Sequence, residues 1–245
     1  MYKQSKKTDE CVIATLIGAI HAYLIPHKET ISGVDDVLTQ ISSAVIRENF
    51  CKNNSTLSFP KADFLKKAVS NIRAQTLEAI RECLTSAKDE LIWRQDENEY
   101  YLPGSDLGDG YRASNLHTLL IGPSNAKYYH PDFMLGIFVL GCFTFYRDHF
   151  HEAPELYVNL TPKTGWRFQG GEWIDYKAGS LIWNNPNDVH ATRVYGEPFI
   201  SIFSWTRNIN SPCKVFKCED WQGVEQELND AMWRDKVHDT GRVLT

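Results

Sequence analysis

Beyond residue 110 the apolar residues of this chain stop recurring at helical intervals and fall into short or alternating runs closed by turn residues. Such runs stand at 116–121, 135–146, 155–160, 166–168, 180–183, 192–195 and 199–205. Many short strands at close spacing bury their apolar faces only against one another, so the expected form is an antiparallel sandwich or barrel.

Upstream the period is three to four. Val37, Leu38, Ile41 and Val45 form one helical set, and Phe64, Leu65, Ala68, Val69 and Ile72 form another. Ser32-Gly33 and Asp35 precede the first set, NNSTLSFP separates the two, and Pro60 suits a helix start. The stretch DENEYYLPGSDLGDG marks a boundary. The organisation expected is α+β: a helical region over residues 1–95, then an antiparallel β-barrel over 96–245, closed by a C-terminal helix in GVEQELNDAMWRDK. The helical third carries no ligand cluster, so its expected work is packing or an oligomer contact, as in a homodimer.

The net charge of -5, with no long Lys/Arg run, argues against nucleic acid or an anionic membrane as partner. Six scattered cysteines without a C-x-x-C read as reduced thiols of a cytoplasmic protein. The apolar run at 11–26 is too short to cross a bilayer. Asp9 and Glu10 stand where a signal peptide carries positive charge, and His21 interrupts the run, so a buried helix is expected there.

The chemistry concentrates in YRDHFHEAPELYV, residues 146–158. Side chains two apart on a strand share a face, so His149 and His151 point one way, and Glu155, Tyr157 and Asn159 share a face of the next strand. A turn at EAP would bring the two sets together. Imidazoles and a carboxylate converging on one surface make a metal site, and His190, just before a later strand, is placed to complete it. Strand parity puts Tyr146 on the face opposite His149 unless a bulge intervenes.

The order His149-x-His151-x3-Glu155, with Gly179 and then His190, resembles the two motifs of the cupin superfamily, double-stranded β-helix barrels that hold a divalent metal. With Tyr146, Tyr157 and Trp205 added, the pattern is similar to the cupin-type dimethylsulfoniopropionate (DMSP) lyases over residues 112–206. That resemblance implies metal ligation by His151, Glu155 and His190, with His149 in or beside the coordination sphere. It implies Tyr157 as catalytic base. The reaction would be β-elimination of a small cationic sulfonium carboxylate to dimethyl sulfide and acrylate. Tyr146 is a further catalytic or substrate-contacting candidate, and Trp183 and Trp205 are either core residues or pocket walls. Zinc, iron, manganese, cobalt and nickel all suit such a donor set. Two other readings stand beside this one: a non-haem metal-dependent cupin oxygenase, and a non-catalytic barrel that binds a small molecule.

Overall fold

The structure, a computed structural model, describes residues 3–48, 50 and 59–241. Four helices come first, α1 (Lys3–Leu24), α2 (Val34–Ser43), α3 (Phe59–Ser70) and α4 (Glu78–Ala87), with the short β1 (Val45–Ile46) after α2. A six-residue α5 (Asp109–Ser114) leads into the strands β2 (Leu116–Gly122), β3 (Tyr128–Tyr129), β4 (Met134–Leu140), β5 (Phe145–Phe150) and β6 (Glu155–Asn159). Then follow β7 (Lys163–Phe168), β8 (Ile174–Lys177), β9 (Leu181–Asn184), β10 (His190–Arg193), β11 (Phe199–Trp205) and β12 (Lys214–Val215), and α6 (Trp221–Gly241) ends the described chain.

The strands form two facing sheets, a seven-stranded one in the order β1-β3-β2-β4-β11-β6-β9 and a five-stranded one in the order β12-β5-β10-β7-β8. All pairs are antiparallel except β2 with β3. This is the sandwich form of the expected α+β, cupin-like architecture. The larger sheet is covered on both faces, which is why MLGIFVL and FISIFSW are buried throughout. One face, with Ile137, Val139, Leu156, Val158 and Ile202, joins Leu16, Ile20, Leu77, Ile80 and other helical residues in a continuous core. The other face turns Phe138, Tyr157, Phe199 and Phe203 toward the smaller sheet. Beyond the smaller sheet, α6 packs Trp221, Val224 and Leu228 on Phe145 and Ala191. The active end of the sandwich thus lies between two sheets that are each backed by helix.

Four expectations change. Val45 is not helical: α2 ends at Ser43, and Val45 is an exposed residue of β1. The run 135–146 is two strands, because the chain turns at Gly141–Phe143, where Phe143 takes φ 55°, and crosses from one sheet to the other. The turn-rich boundary contains α5, and α2 starts behind Gly33 at φ 77° with no side-chain cap. The connector at 53–58 lies outside the described residues. Cys83, Cys142, Cys213 and Cys218 are free thiols, while Cys51 and the side chain of Cys11 lie outside the described set. Among the described residues no helix is long and apolar enough to cross a membrane.

Candidate metal centre and active-site cavity

The site forms where strand ends meet. His149 lies near the end of β5, His151 just past it, Glu155 opens β6, His190 opens β10 and Trp205 closes β11. Pairing does the positioning: His190 stands opposite His149, and Glu155 lies between Trp205 and Asn184 in the larger sheet. One ring nitrogen from each of His149, His151 and His190 falls within 4.8 Å of the others. All three histidines and Glu155 are no more than 4% exposed.

The tautomers follow from the backbone. Nδ1 of His149 lies 2.8 Å from the Arg147 carbonyl, Nδ1 of His151 2.7 Å from the Ala153 carbonyl, and Nδ1 of His190 2.9 Å from the Asp188 carbonyl. A carbonyl only accepts, so each Nδ1 carries the proton and donates it. Each Nε2 is then a lone pair. The Nε2 atoms of His151 and His190 sit 3.2 and 3.4 Å from Glu155 Oε2, and the buried His190 Nε2 has no hydrogen-bond partner. Acceptors facing one another at that range call for a proton or a cation between them, and three imidazoles with a carboxylate are a good donor set for a divalent transition metal. The buried triad therefore fits a metal ion.

Burial raises the Glu155 carboxyl, yet once His151 and His190 carry a proton on Nε2 the hydrogen bonds and positive charge they supply outweigh it and hold the group well below the usual carboxylate range. Trp205 Nε1–H donates to Glu155 Oε1 at 2.8 Å and fixes its orientation. Burial first, then His190, depress His149 well below an ordinary histidine. Tyr157 is pushed well above the usual phenol range by burial and then by the neighbouring Glu155 charge.

Glu155 and Tyr157 line a small void of about 50 Å³ together with Tyr146, Trp205, Phe138 and Phe203. Tyr146 stacks on His149, and its hydroxyl bonds that of Tyr101. The Trp205 ring lies 4.5 Å from that of His151. Trp183 does not join this group. It pairs with Leu156, on the helix-facing side of the sheet, and its ring fills the space over Gly33 while Nε1 donates to Asn185. Its parity opposes that of Asn184, which turns inward to Glu155.

Sequence reasoning overlooked Asp96, Tyr100, Tyr101 and Tyr111, all of which line the same void. They sit in or beside the boundary stretch, and the doublet Tyr100-Tyr101 amid turn residues was the available signal. A second opening of about 290 Å³, lined by Arg94, Asn125 and Ser211 among others, shares Tyr100, His117 and Met134 with the void.

The DMSP lyase (dimethylsulfoniopropionate lyase) family profile matches residues 35–201. No curated protein matches the chain. A crystal structure from work on the DMSP lyases RdDddP and RnDddQII superposes with a TM-score of 0.65 at 15% identity, covering 85% of this chain and 100% of that one. The DMSP lyase DddQ from Ruegeria pomeroyi DSS-3 superposes at 0.64 with 17% identity, covering 84% and 98%. At such identities the superpositions establish a shared fold, whereas the family match takes in more than half of the chain and all of its histidine cup. The chain belongs to the DMSP lyase family and is a carbon–sulfur lyase.

Proposed function

We propose that this chain cleaves DMSP by metal-dependent β-elimination, with Tyr157 as the base. The observation that carries the reading is the convergence of three imidazole nitrogens, those of His151 and His190 facing Glu155, beside a phenol on the same strand face as that carboxylate. His149, His151, His190 and Glu155 would hold the metal. When bound there, a divalent cation supplies a Lewis acid for the substrate carboxylate and the positive field a buried phenol needs to lose its proton near neutral pH.

The protein's own groups account for the rest. Tyr157 takes the proton from the carbon next to the carboxylate, and that electron pair becomes the new carbon–carbon double bond. The carbon–sulfur bond breaks, its pair leaves with dimethyl sulfide, and acrylate remains. Trp205 offers an aromatic face to the sulfonium, a good contact contributing about 0.5 to 2 kcal/mol, while Tyr146, stacked between His149 and Tyr111, holds the wall in place. The buried setting keeps water from competing for the base.

Headspace detection of dimethyl sulfide from purified, metal-loaded protein given DMSP tests the reading. Release is expected, and the His151→Ala, Glu155→Ala and His190→Ala variants should lose both metal and release. Oxygen uptake without dimethyl sulfide would overturn it in favour of an oxygenase.

A further inference from the structure

Asp96 is a buried carboxylate that the elimination does not use. It is 4% exposed and lines the same void as Glu155 and Tyr157. Its Oδ1 accepts the Glu99 backbone N–H at 2.9 Å, and its Oδ2 accepts the Tyr111 hydroxyl at 2.8 Å. Its backbone is clamped to Asn115, which accepts the Asp96 N–H at 2.7 Å. Among the described residues no Lys, Arg or His forms an ion pair with it. Burial pushes its carboxyl up, while the Tyr111 hydroxyl and neighbouring backbone N–H groups oppose the rise. A rigid, desolvated carboxylate without a cation is costly unless a ligand supplies the missing charge.

The geometry points to Asp96 as the counter-charge for the sulfonium end of the substrate, a specificity-determining residue on the wall of the void that Glu155 and Tyr157 also line. This rests on the reading of the site as one for a cationic carboxylate. A stack of rings leads along the wall from the cup to Asp96: Tyr146 stacks on His149, Tyr111 stacks on Tyr146, and the Tyr111 hydroxyl donates to Asp96. Four bonds of about 1.5 Å separate a carboxylate oxygen from the sulfur of a three-carbon sulfonium acid. Anchored at the cup, a molecule of that length carries its charge along this stack, into the void that Asp96 lines with Glu155. Phe138, Met134 and Tyr100, also on the wall, suit the methyl groups around that charge.

Two non-reactive probes of equal shape test this by calorimetry on metal-loaded protein: 3-(trimethylammonio)propanoate, which is cationic at the far end, and 4,4-dimethylpentanoate, its neutral isostere. The unmutated chain should bind the cation at least about 10-fold more tightly. Asp96→Asn keeps the shape and can still accept from the Glu99 N–H. It should weaken the cation by about 10- to 100-fold, leave the neutral probe unchanged, and in turnover raise KM for DMSP far more than it lowers kcat. Equal affinity of the two probes for the unmutated chain overturns the assignment even if the variant fails to fold. So does unchanged discrimination in a folded Asp96→Asn. Failure of both probes to bind overturns the reading of the site itself, and this assignment with it.

Discussion

The ring of Tyr146 lies stacked on the imidazole of His149, centroids 4.2 Å apart and planes 27° from parallel, although they stand three positions apart on one strand. A bulge makes this possible: His149 stands opposite His190 and Tyr146 opposite Thr192, so β5 uses one residue more than β10 over the same stretch. The residues between, Arg147 and Asp148, both face away from the site. Arg147 Nε donates to Glu225 at 3.0 Å, and its guanidinium lies 4.7 Å over Trp221. Asp148 accepts from Arg167 Nε at 2.9 Å and from Trp221 Nε1 at 2.8 Å. Helix α6 therefore grips the bulge from outside while the Arg147 carbonyl orients His149 on the inside.

Arg167→Met tests that coupling. It leaves Asp148, which is fully buried, without its cation, a loss of about 3 to 5 kcal/mol. A chain of this size should then melt roughly 10 °C lower. Loosening the strand behind His149 should also weaken metal binding by about 10- to 100-fold, the usual effect of removing support for a ligand. Thermal unfolding and competition with a chelator measure the two effects. Unaltered metal affinity in a destabilised variant would separate the clamp from the site.

Strands β6, β7, β9, β10 and β11 were legible because short apolar or alternating runs and turn residues coincide there, and 199–205 matches β11 end to end, whereas the mostly exposed β8 carries no apolar run. Parity puts His149 and His151 on one face, and His190 joins them from its place just before a later strand; the fold brings the three imidazoles together. Tyr146 was not, because a one-residue bulge reverses parity and leaves no mark in the local composition. Trp183 stayed open between core and pocket because β9 belongs to a sheet buried on both sides, where an apolar residue suits either face. Asp96 escaped notice because its stretch reads as a linker, and only tertiary contacts turn Tyr100, Tyr101 and Tyr111 into cavity walls.

Tyr157→Phe removes one oxygen and keeps the ring that packs 4.9 Å from Trp166. If the phenol is the base, kcat should fall by about 10²- to 10⁴-fold while metal content and substrate affinity persist. Normal turnover by this variant would remove Tyr157 from the mechanism. Tyr146→Phe, whose hydroxyl is already engaged by Tyr101, should act on KM more than on kcat.

Trp183→Leu distinguishes a pocket wall from a packing residue. The ring sits over Gly33, at the start of α2, so its loss opens a void between helix and sheet and should cost about 2 to 4 kcal/mol. Below the lowered melting temperature, KM and kcat should match those of the unmutated enzyme. A raised KM would return Trp183 to the substrate site.

His117 gives the protein an acid limit independent of the metal. It is 5% exposed, and burial, assisted by Arg94 and opposed by Glu99, lowers its pKa from 6.5 to about 4. In the unfolded chain the imidazole takes its proton near pH 6.5, but in the folded chain only near pH 4, so between these values the unfolded state binds more protons. Stability from this group is therefore complete above pH 6.5, declines as the pH falls toward 4, and declines no further below that. The total lost is of the order of 3 kcal/mol. His117→Gln cannot take up that proton and should flatten this part of the pH dependence. Denaturant midpoints at pH 7.5 and 4.5, measured on chelator-treated protein, provide the comparison. The depressed His149 contributes the same sign of loss in both proteins, so the difference between them isolates His117. An equal acid loss in both would mean that His117 does not carry it.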